Sequence, residues 1–148
     1  MKEIYKAVNT ILIGDATLVS LVDYAPASHK NTIRRGYQTF ELKKGYWDKM
    51  VVFYLQPAIL TTDFTAQIRT IPLIVRVYDR KDDLNVETIG ERCIALLDSA
   101  DLSVATKIHA YSTFYDGDLI ATSWSDELKS YEKALRFVVN VHNKEAKS

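Results

Sequence analysis

Histidine titrates closest to neutrality, so it is the first place to look for proton transfer. The sequence holds three: His29, His109 and His142. None stands in a His-x-x-x-His or His-Glu-x-x-His spacing, which would set two imidazoles on one helix face around a metal. His109 and His142 fall in predicted strands and His29 in a polar stretch, so all three read as ordinary strand and loop residues. The single cysteine, Cys93, sits on the apolar stripe of a predicted helix. A nucleophilic thiolate needs an electropositive, partly exposed setting, and the commoner helix-core cysteine has neither. One cysteine also excludes an intramolecular disulfide and a cysteine-built metal cluster. There is no Gly-x-Ser-x-Gly elbow, no glycine-rich phosphate loop and no dinucleotide fingerprint. Gly90 stands alone inside a helix and reads as a packing contact. The expectation is therefore no catalytic residue, no metal and no cofactor.

Two segments remain. Asp79, Asp82, Asp83 and Glu87 gather around Lys81. Asp79-Arg80-Lys81 ends a predicted strand and is superficially similar to the acid-x-Lys strand end of metal-dependent nucleases. Such a site needs a second carboxylate converging from another strand, and no position supplies one. Turn chemistry and the preference of acids for a helix N-terminus already account for the cluster. A hydrolase using Asp79 and Asp83 is thus kept as a third-ranked class. In the other segment, Arg34, Arg35, Lys43, Lys44 and Lys49 are interleaved with Tyr37, Phe40, Tyr46 and Trp47. Cations with aromatics can track a phosphate backbone and stack bases. The same mixture builds protein–protein hot spots. Formal net charge is 0, which argues against a whole-surface nucleic-acid binder and ranks protein contact first. The candidate interface residues are Arg34, Arg35, Tyr37, Lys43, Lys44, Tyr46, Trp47, Asp79, Asp82 and Asp83. Charge is also split along the chain: residues 23–50 carry six Lys or Arg against three acids, and residues 79–101 seven acids against three bases. Complementary patches of this kind could bring identical subunits together head to tail, or could be two solvated faces.

The elements that position these residues follow from periodicity. Ile4, Ala7, Val8, Ile11 and Leu12 make one helical stripe, so residues 3–13 are predicted to be a helix ended by Gly14. Asp15 suits the N-cap of a short second helix carrying Leu18, Val19, Leu21 and Val22. From 23 to 50 no period is sustained, and the stretch reads as a long loop with a short hairpin near 37–42. Strands are predicted at 51–56 and 67–78, with Pro72 marking a strand start or an edge. A helix follows from 86 to about 99. Residues 107–115 lead into Asp116-Gly117-Asp118, a short-loop hairpin signal, and 119–125 return. The cleanest alternation is Tyr131, Lys133, Leu135, Phe137, Val139 and Val141 against the residues between them. Residues 143–148 are expected to fray. The 148 residues, 47% apolar and 26% charged, make one domain. The predicted class is α+β: a mainly antiparallel sheet of about five strands with two main helices packed on it, in the order ααββαβββ. No apolar run reaches the roughly 20 residues of a membrane helix, and Met1-Lys2-Glu3-Ile4-Tyr5 does not read as a signal peptide.

This order of elements resembles the tail completion, or tail terminator, proteins of long-tailed bacteriophages. Ile4-Tyr5-Lys6-Ala7-Val8 through Gly14-Asp15-Ala16-Thr17-Leu18-Val19-Ser20-Leu21-Val22 looks like the family's opening helix and its continuation after an aspartate. Ile74-Val75-Arg76-Val77-Tyr78-Asp79, leading into the helix that ends Ala95-Leu96-Leu97-Asp98, is similar to its central strand–helix unit. Trp124-Ser125-Asp126-Glu127 and Tyr131-Glu132-Lys133-Ala134-Leu135-Arg136-Phe137-Val138-Val139 look like its closing acidic turn and last strand. The motifs cover most of the chain and are largely apolar pattern, so their joint order carries the likeness. The departure is before the first strand, where family members often place Pro-Tyr and this chain has Lys49-Met50-Val51-Val52.

The resemblance implies a non-enzymatic virion protein, put together in the cytoplasm of a bacterial host and sited at the head-proximal end of the tail. Copies would form a ring, expected to be a hexamer, that caps the major tail tube protein and stops its polymerisation. The ring would offer a docking surface to a head-completion or neck protein, and DNA would pass through its lumen without sequence-specific binding. The alternatives are a head-completion connector and, in another class, a nucleic-acid-binding module working through the basic loop. No membrane partner is implied.

Overall fold

The alternation in the last strand sets the architecture. In this computed structural model, which describes residues 2–25, 32–36, 47–56, 59–60, 68–102 and 108–143, Leu135, Phe137 and Val139 are fully buried on one face of a sheet. Side chains two apart share a face, so the neighbouring strand contributes Ile71, Leu73, Val75 and Val77 to the same layer, with Leu73 paired to Phe137 and Val75 to Leu135. The strands are β1 (Ile33–Arg35), β2 (Lys49–Leu55), β3 (Ile59–Leu60), β4 (Ile68–Asp79), β5 (Ile108–Ser125) and β6 (Ser130–Asn143). Their order is β1-β2-β4-β6-β5, with β3 beside β4. β1 runs parallel to β2 and every other pairing is antiparallel.

Among the described residues three helices supply the other half of the core: α1 (Lys2–Ile13), α2 (Ala16–Leu21) and α3 (Asp83–Leu97). Ile4, Val8 and Leu12 of α1 are fully buried, as the stripe predicted, and meet Val86, Ile89, Cys93 and Leu97 of α3 in the same cluster. Gly14 closes α1 by donating its N–H to the Thr10 carbonyl at 3.0 Å. A Cβ there would lie 2.7 Å from that oxygen, so only glycine fits. Asp15 caps α2, accepting from the Leu18 N–H at 2.8 Å. Asp82 caps α3 in the same way through Leu84. The expected α+β class, with helices packed on a mainly antiparallel sheet, is what the chain forms.

Three details differ from the sequence reading. The stretch 23–50 holds the edge strand β1, fixed by pairing to β2 and by a bond from the Thr32 hydroxyl to the Val22 carbonyl at 2.8 Å. Pro72 lies mid-strand on central β4. It is tolerated because β2 ends opposite Leu73 and β3 begins opposite Thr70, so the proline faces the gap between them. Its carbonyl accepts there from Gln56, and its nitrogen points to the same side, where no ladder bond is required.

The third detail is that Asp116-Gly117-Asp118 is not a hairpin turn. β5 continues through it as one 18-residue strand paired along its length with the 14-residue β6. Four register shifts, each inserting one residue, take up the difference. Gly117, at φ +105°, supplies a conformation that other residues reach only with strain. The hairpin turn falls later, at 126–129, with Lys129 in the left-handed region at φ 53°. The predicted hairpin at 37–42 and the tail from 144 onward lie outside the described residues.

Candidate assembly surfaces

The first surface is a groove beside β1. Tyr5, Lys6 and Asn9 come from α1, Tyr24 from just after α2, and Ile33, Arg34 and Arg35 from β1. Together they line an open cleft of about 520 Å³. Its geometry is held from below. The Leu55 N–H donates to the Tyr5 hydroxyl at 2.9 Å, which ties α1 to β2. The Tyr5 ring also lies 6.3 Å from that of Phe53. The Arg35 guanidinium sits 5.0 Å above the Tyr5 ring, a cation–π contact that limits where its charge can go. The cleft is thus basic and aromatic, with the buried Ile33 in its lining.

The second feature is the turn from β4 into α3. Asp79 is completely buried, and its Oδ1 accepts from the N–H groups of Lys81 and Asp82 at 2.8 and 3.0 Å. Its Oδ2 has no hydrogen-bond partner among the described residues. The carboxylates of Asp79 and Asp82 therefore shape the turn, and Asp83 is exposed in the first turn of α3. Trp47 joins this feature from the far end of the basic segment. It is nearly buried in a small second core with Met50, Val52, Tyr78 and Leu128. The Arg80 guanidinium lies 4.1 Å over its ring, and Lys81 pairs with Asp48 at 3.5 Å. Of the ten predicted interface residues, the structure brings Trp47, Asp79 and Asp82 together at this turn, with Asp83 just beyond, and sets Arg34 and Arg35 in the groove. Tyr37, Lys43, Lys44 and Tyr46 lie outside the described residues.

No protein-family model matches the sequence, and no curated protein sequence matches it. Solved structures are similar in fold. A chain of the "Virion of native gene transfer agent (GTA) particle" aligns with a TM-score of 0.68, covering 92% of this chain and 92% of that one at 15% identity. The likeness runs the length of both chains, so it is the whole scaffold that is shared, not one motif.

On that scaffold, sequence reasoning missed a charged cluster inside the helix–sheet layer. Lys133 occupies an inward position of β6 and is 8% exposed. Its ammonium lies 2.8 Å from Glu87 Oε2 on α3 and 3.4 Å from Asp118 Oδ2 on β5. Thr122 donates to the other oxygen of Glu87, and Tyr115 donates to Asp118. Burial pulls the Lys133 pKa down, but the bond to Glu87 and the nearby carboxylate charges outweigh it, so the net shift is upward. Glu87 is held below its usual range, chiefly by the Lys133 hydrogen bond. Burial and the bond to Asp118 push the Tyr115 phenol up to about 12. The cluster is a staple joining α3, β5 and β6. Cys93 is fully buried and burial raises its thiol to about 12, so no thiolate is available at neutral pH. No group of three or more His, Cys, Asp or Glu that could hold a metal ion occurs among the described residues.

Exposed apolar residues along β5 were also missed. Phe114, Leu119 and Trp124 are each more than two-fifths exposed, and Trp124 stacks edge-on against Tyr131 with centroids 4.9 Å apart. No helix among the described residues is long and apolar enough to cross a membrane.

Proposed function

We propose that this chain is a structural protein of a phage-like virion and, within it, the tail terminator: a ring subunit that caps the tail tube, halts its growth and offers the face to which the head docks. The observation that carries the reading is the fold likeness to a chain of a gene transfer agent virion, which extends over 92% of both chains. Support also comes from the order of sequence motifs, and from a scaffold that offers different surfaces on its two sides. Subunits that close a ring need two unlike patches, one for each neighbour. The partners on this reading are further copies of the chain, the tube protein, and a neck protein, with DNA crossing the lumen. Asp79 already serves the backbone of a turn, which lowers the standing of a hydrolase built on Asp79 and Asp83.

A head-completion connector is the second reading. It is favoured by the same likeness, because the neighbour's description names a virion and no position in it. Purified protein mixed with polymerising tail tubes and imaged by electron cryo-microscopy separates the two. A terminator shortens the tubes and appears as a ring at one end. Tubes of unchanged length with bare ends refute it, and rings bound to heads under the same conditions select the connector.

A further inference from the structure

The groove beside β1 has a counterpart elsewhere on the same molecule. We propose that the outward face of α3, led by Leu84, docks into the Tyr5–Tyr24–Arg35 groove of a neighbouring copy. The inference rests on the reading above that copies of this chain assemble, and it names the two surfaces that meet.

The groove presents three cations, Lys6, Arg34 and Arg35, and no carboxylate, around the rings of Tyr5 and Tyr24. At about 520 Å³ it has room for more than one side chain. Arg35 is already steadied over the Tyr5 ring at 5.0 Å, so a bound carboxylate would immobilise little that is free. Leu84 is the most exposed large apolar residue among those described, at 68%. A lone exposed leucine needs no explanation. This one stands next to Asp83 and on a stripe with Thr88 and Glu91, all exposed, as helical spacing requires. The neighbouring cations are engaged elsewhere, Lys81 in an ion pair with Asp48 and Arg92 in a two-pronged bond with Asp15. The helix therefore offers an apolar tip ringed by acid, and the groove an apolar lining ringed by base. The two lie on different elements, so the contact is heterologous: each copy gives its helix to one neighbour and its groove to the other, which closes a ring if the rotation closes.

Two variants test this, both confined to exposed positions. K6E/R35E reverses the groove, and L84K/E91K reverses the helix face. Their folding is checked by circular dichroism and thermal melting, and their size by light scattering after gel filtration over rising concentration. Wild type is expected to associate, and each variant alone to be monomeric, its association weakened by about a hundredfold or more. An equimolar mixture should associate again, because the first variant's helix meets the second's unaltered groove, and the reversed groove and reversed helix are once more opposite in sign. The proposal is overturned if wild type stays monomeric at the highest concentration reached, or if either variant assembles like wild type. It is also overturned if the mixture does not associate, or if K6E/R35E loses only a different virion protein while self-association persists. The tube-capping assay is independent. Rings that form through these surfaces and leave tubes uncapped refute the terminator reading alone; capping by L84K/E91K at wild-type level refutes this inference alone.

Discussion

Replacing Glu87 by Gln and Asp118 by Asn together should destabilise the fold far more than replacing Lys133 by Met, although both break the same cluster. The asymmetry comes from burial. The Lys133 side chain is 9% exposed, whereas those of Glu87 and Asp118 are 42% and 34% exposed. With Lys133 gone, both carboxylates can turn to water, and methionine keeps the aliphatic stem that lies over Gly90. With both acids neutralised, the ammonium is stranded. Breaking a buried pair in this sense costs about 3–5 kcal/mol, and the amide oxygens that remain as acceptors place E87Q/D118N near about 3 kcal/mol. For a domain of this size that lowers the melting temperature by about 10 °C, measured by circular dichroism with urea titration for the free energy. The triple variant with K133M should recover to within about 1 kcal/mol of K133M alone, since no buried charge is left unpaired. The pH dependence gives a second readout. In wild type the folded Lys133 pKa lies above its ordinary 10.5, so its stabilisation is complete below that pH and lost as pH rises through the folded value. In E87Q/D118N burial dominates, the folded pKa falls below the unfolded one, and stability should climb as pH rises toward the ordinary 10.5. A double variant that melts within about 2 °C of wild type, or a triple variant no better than the double, would refute the reasoning.

Asp15→Asn should cost about 1 kcal/mol at pH 7, and Asp15→Ala about 2, because asparagine keeps the helix cap while both remove the carboxylate that pairs with Arg92. Arg92 holds the Asp15 pKa below its ordinary 3.8, so this stabilisation is present above that pH and fades as pH falls through the folded value. Urea titrations at pH 7 and at acid pH below 3.8 should show the Asp15→Asn deficit shrinking as pH falls. Gly90→Ala should stabilise by about 0.5–1 kcal/mol in a thermal melt, since a Cβ there meets Lys133 Cδ at an ordinary 3.5 Å. Gly14→Ala, 2.7 Å from the Thr10 oxygen, should destabilise in the same melt. Cys93 should resist a thiol reagent in the folded protein and react fully in denaturant; rapid labelling of the native state would contradict its burial.

What the sequence made legible was what is local. The stripe from Ile4 to Leu12, the cap at Asp15 and the alternation from Leu135 to Val139 each follow from neighbours a few positions away, and each is where it was expected, whereas the helix predicted from 86 starts at Asp83 behind a cap at Asp82. What it hid was non-local. β1 is three residues long and is a strand because β2 lies beside it, which no window over 33–35 can reveal. Lys133 has its closest partner 46 positions away, so it looked like one more member of an alternating strand. Asp116-Gly117-Asp118 carries the composition of a turn, but β6 holds β5 extended on both sides and the glycine is used for a bulge instead. Trp47 looked like an exposed anchor beside the basic residues. Its burial depends on Tyr78 and Leu128, from β4 and the β5–β6 turn. The groove is illegible for the same reason, drawing one tyrosine from α1, another from after α2 and its arginines from β1.

The bulges of β5 bear on how copies of the chain can meet. A long, flat edge strand invites another strand to add, and repeated addition makes open-ended fibres. β5 is long, but four inserted residues break the even spacing of its backbone groups and increase its local twist. Its outer edge is also partly taken: Thr113 donates to the Ala100 carbonyl, and the Tyr115 N–H is bound by Asp98. Strand addition along this edge is therefore obstructed, and association is left to side-chain surfaces. A contact between a helix face and a groove has one geometry and one rotation per step, and it gives a closed ring when that rotation closes. The irregularity that made β5 hard to read as one strand is thus also what keeps its edge from acting as a template.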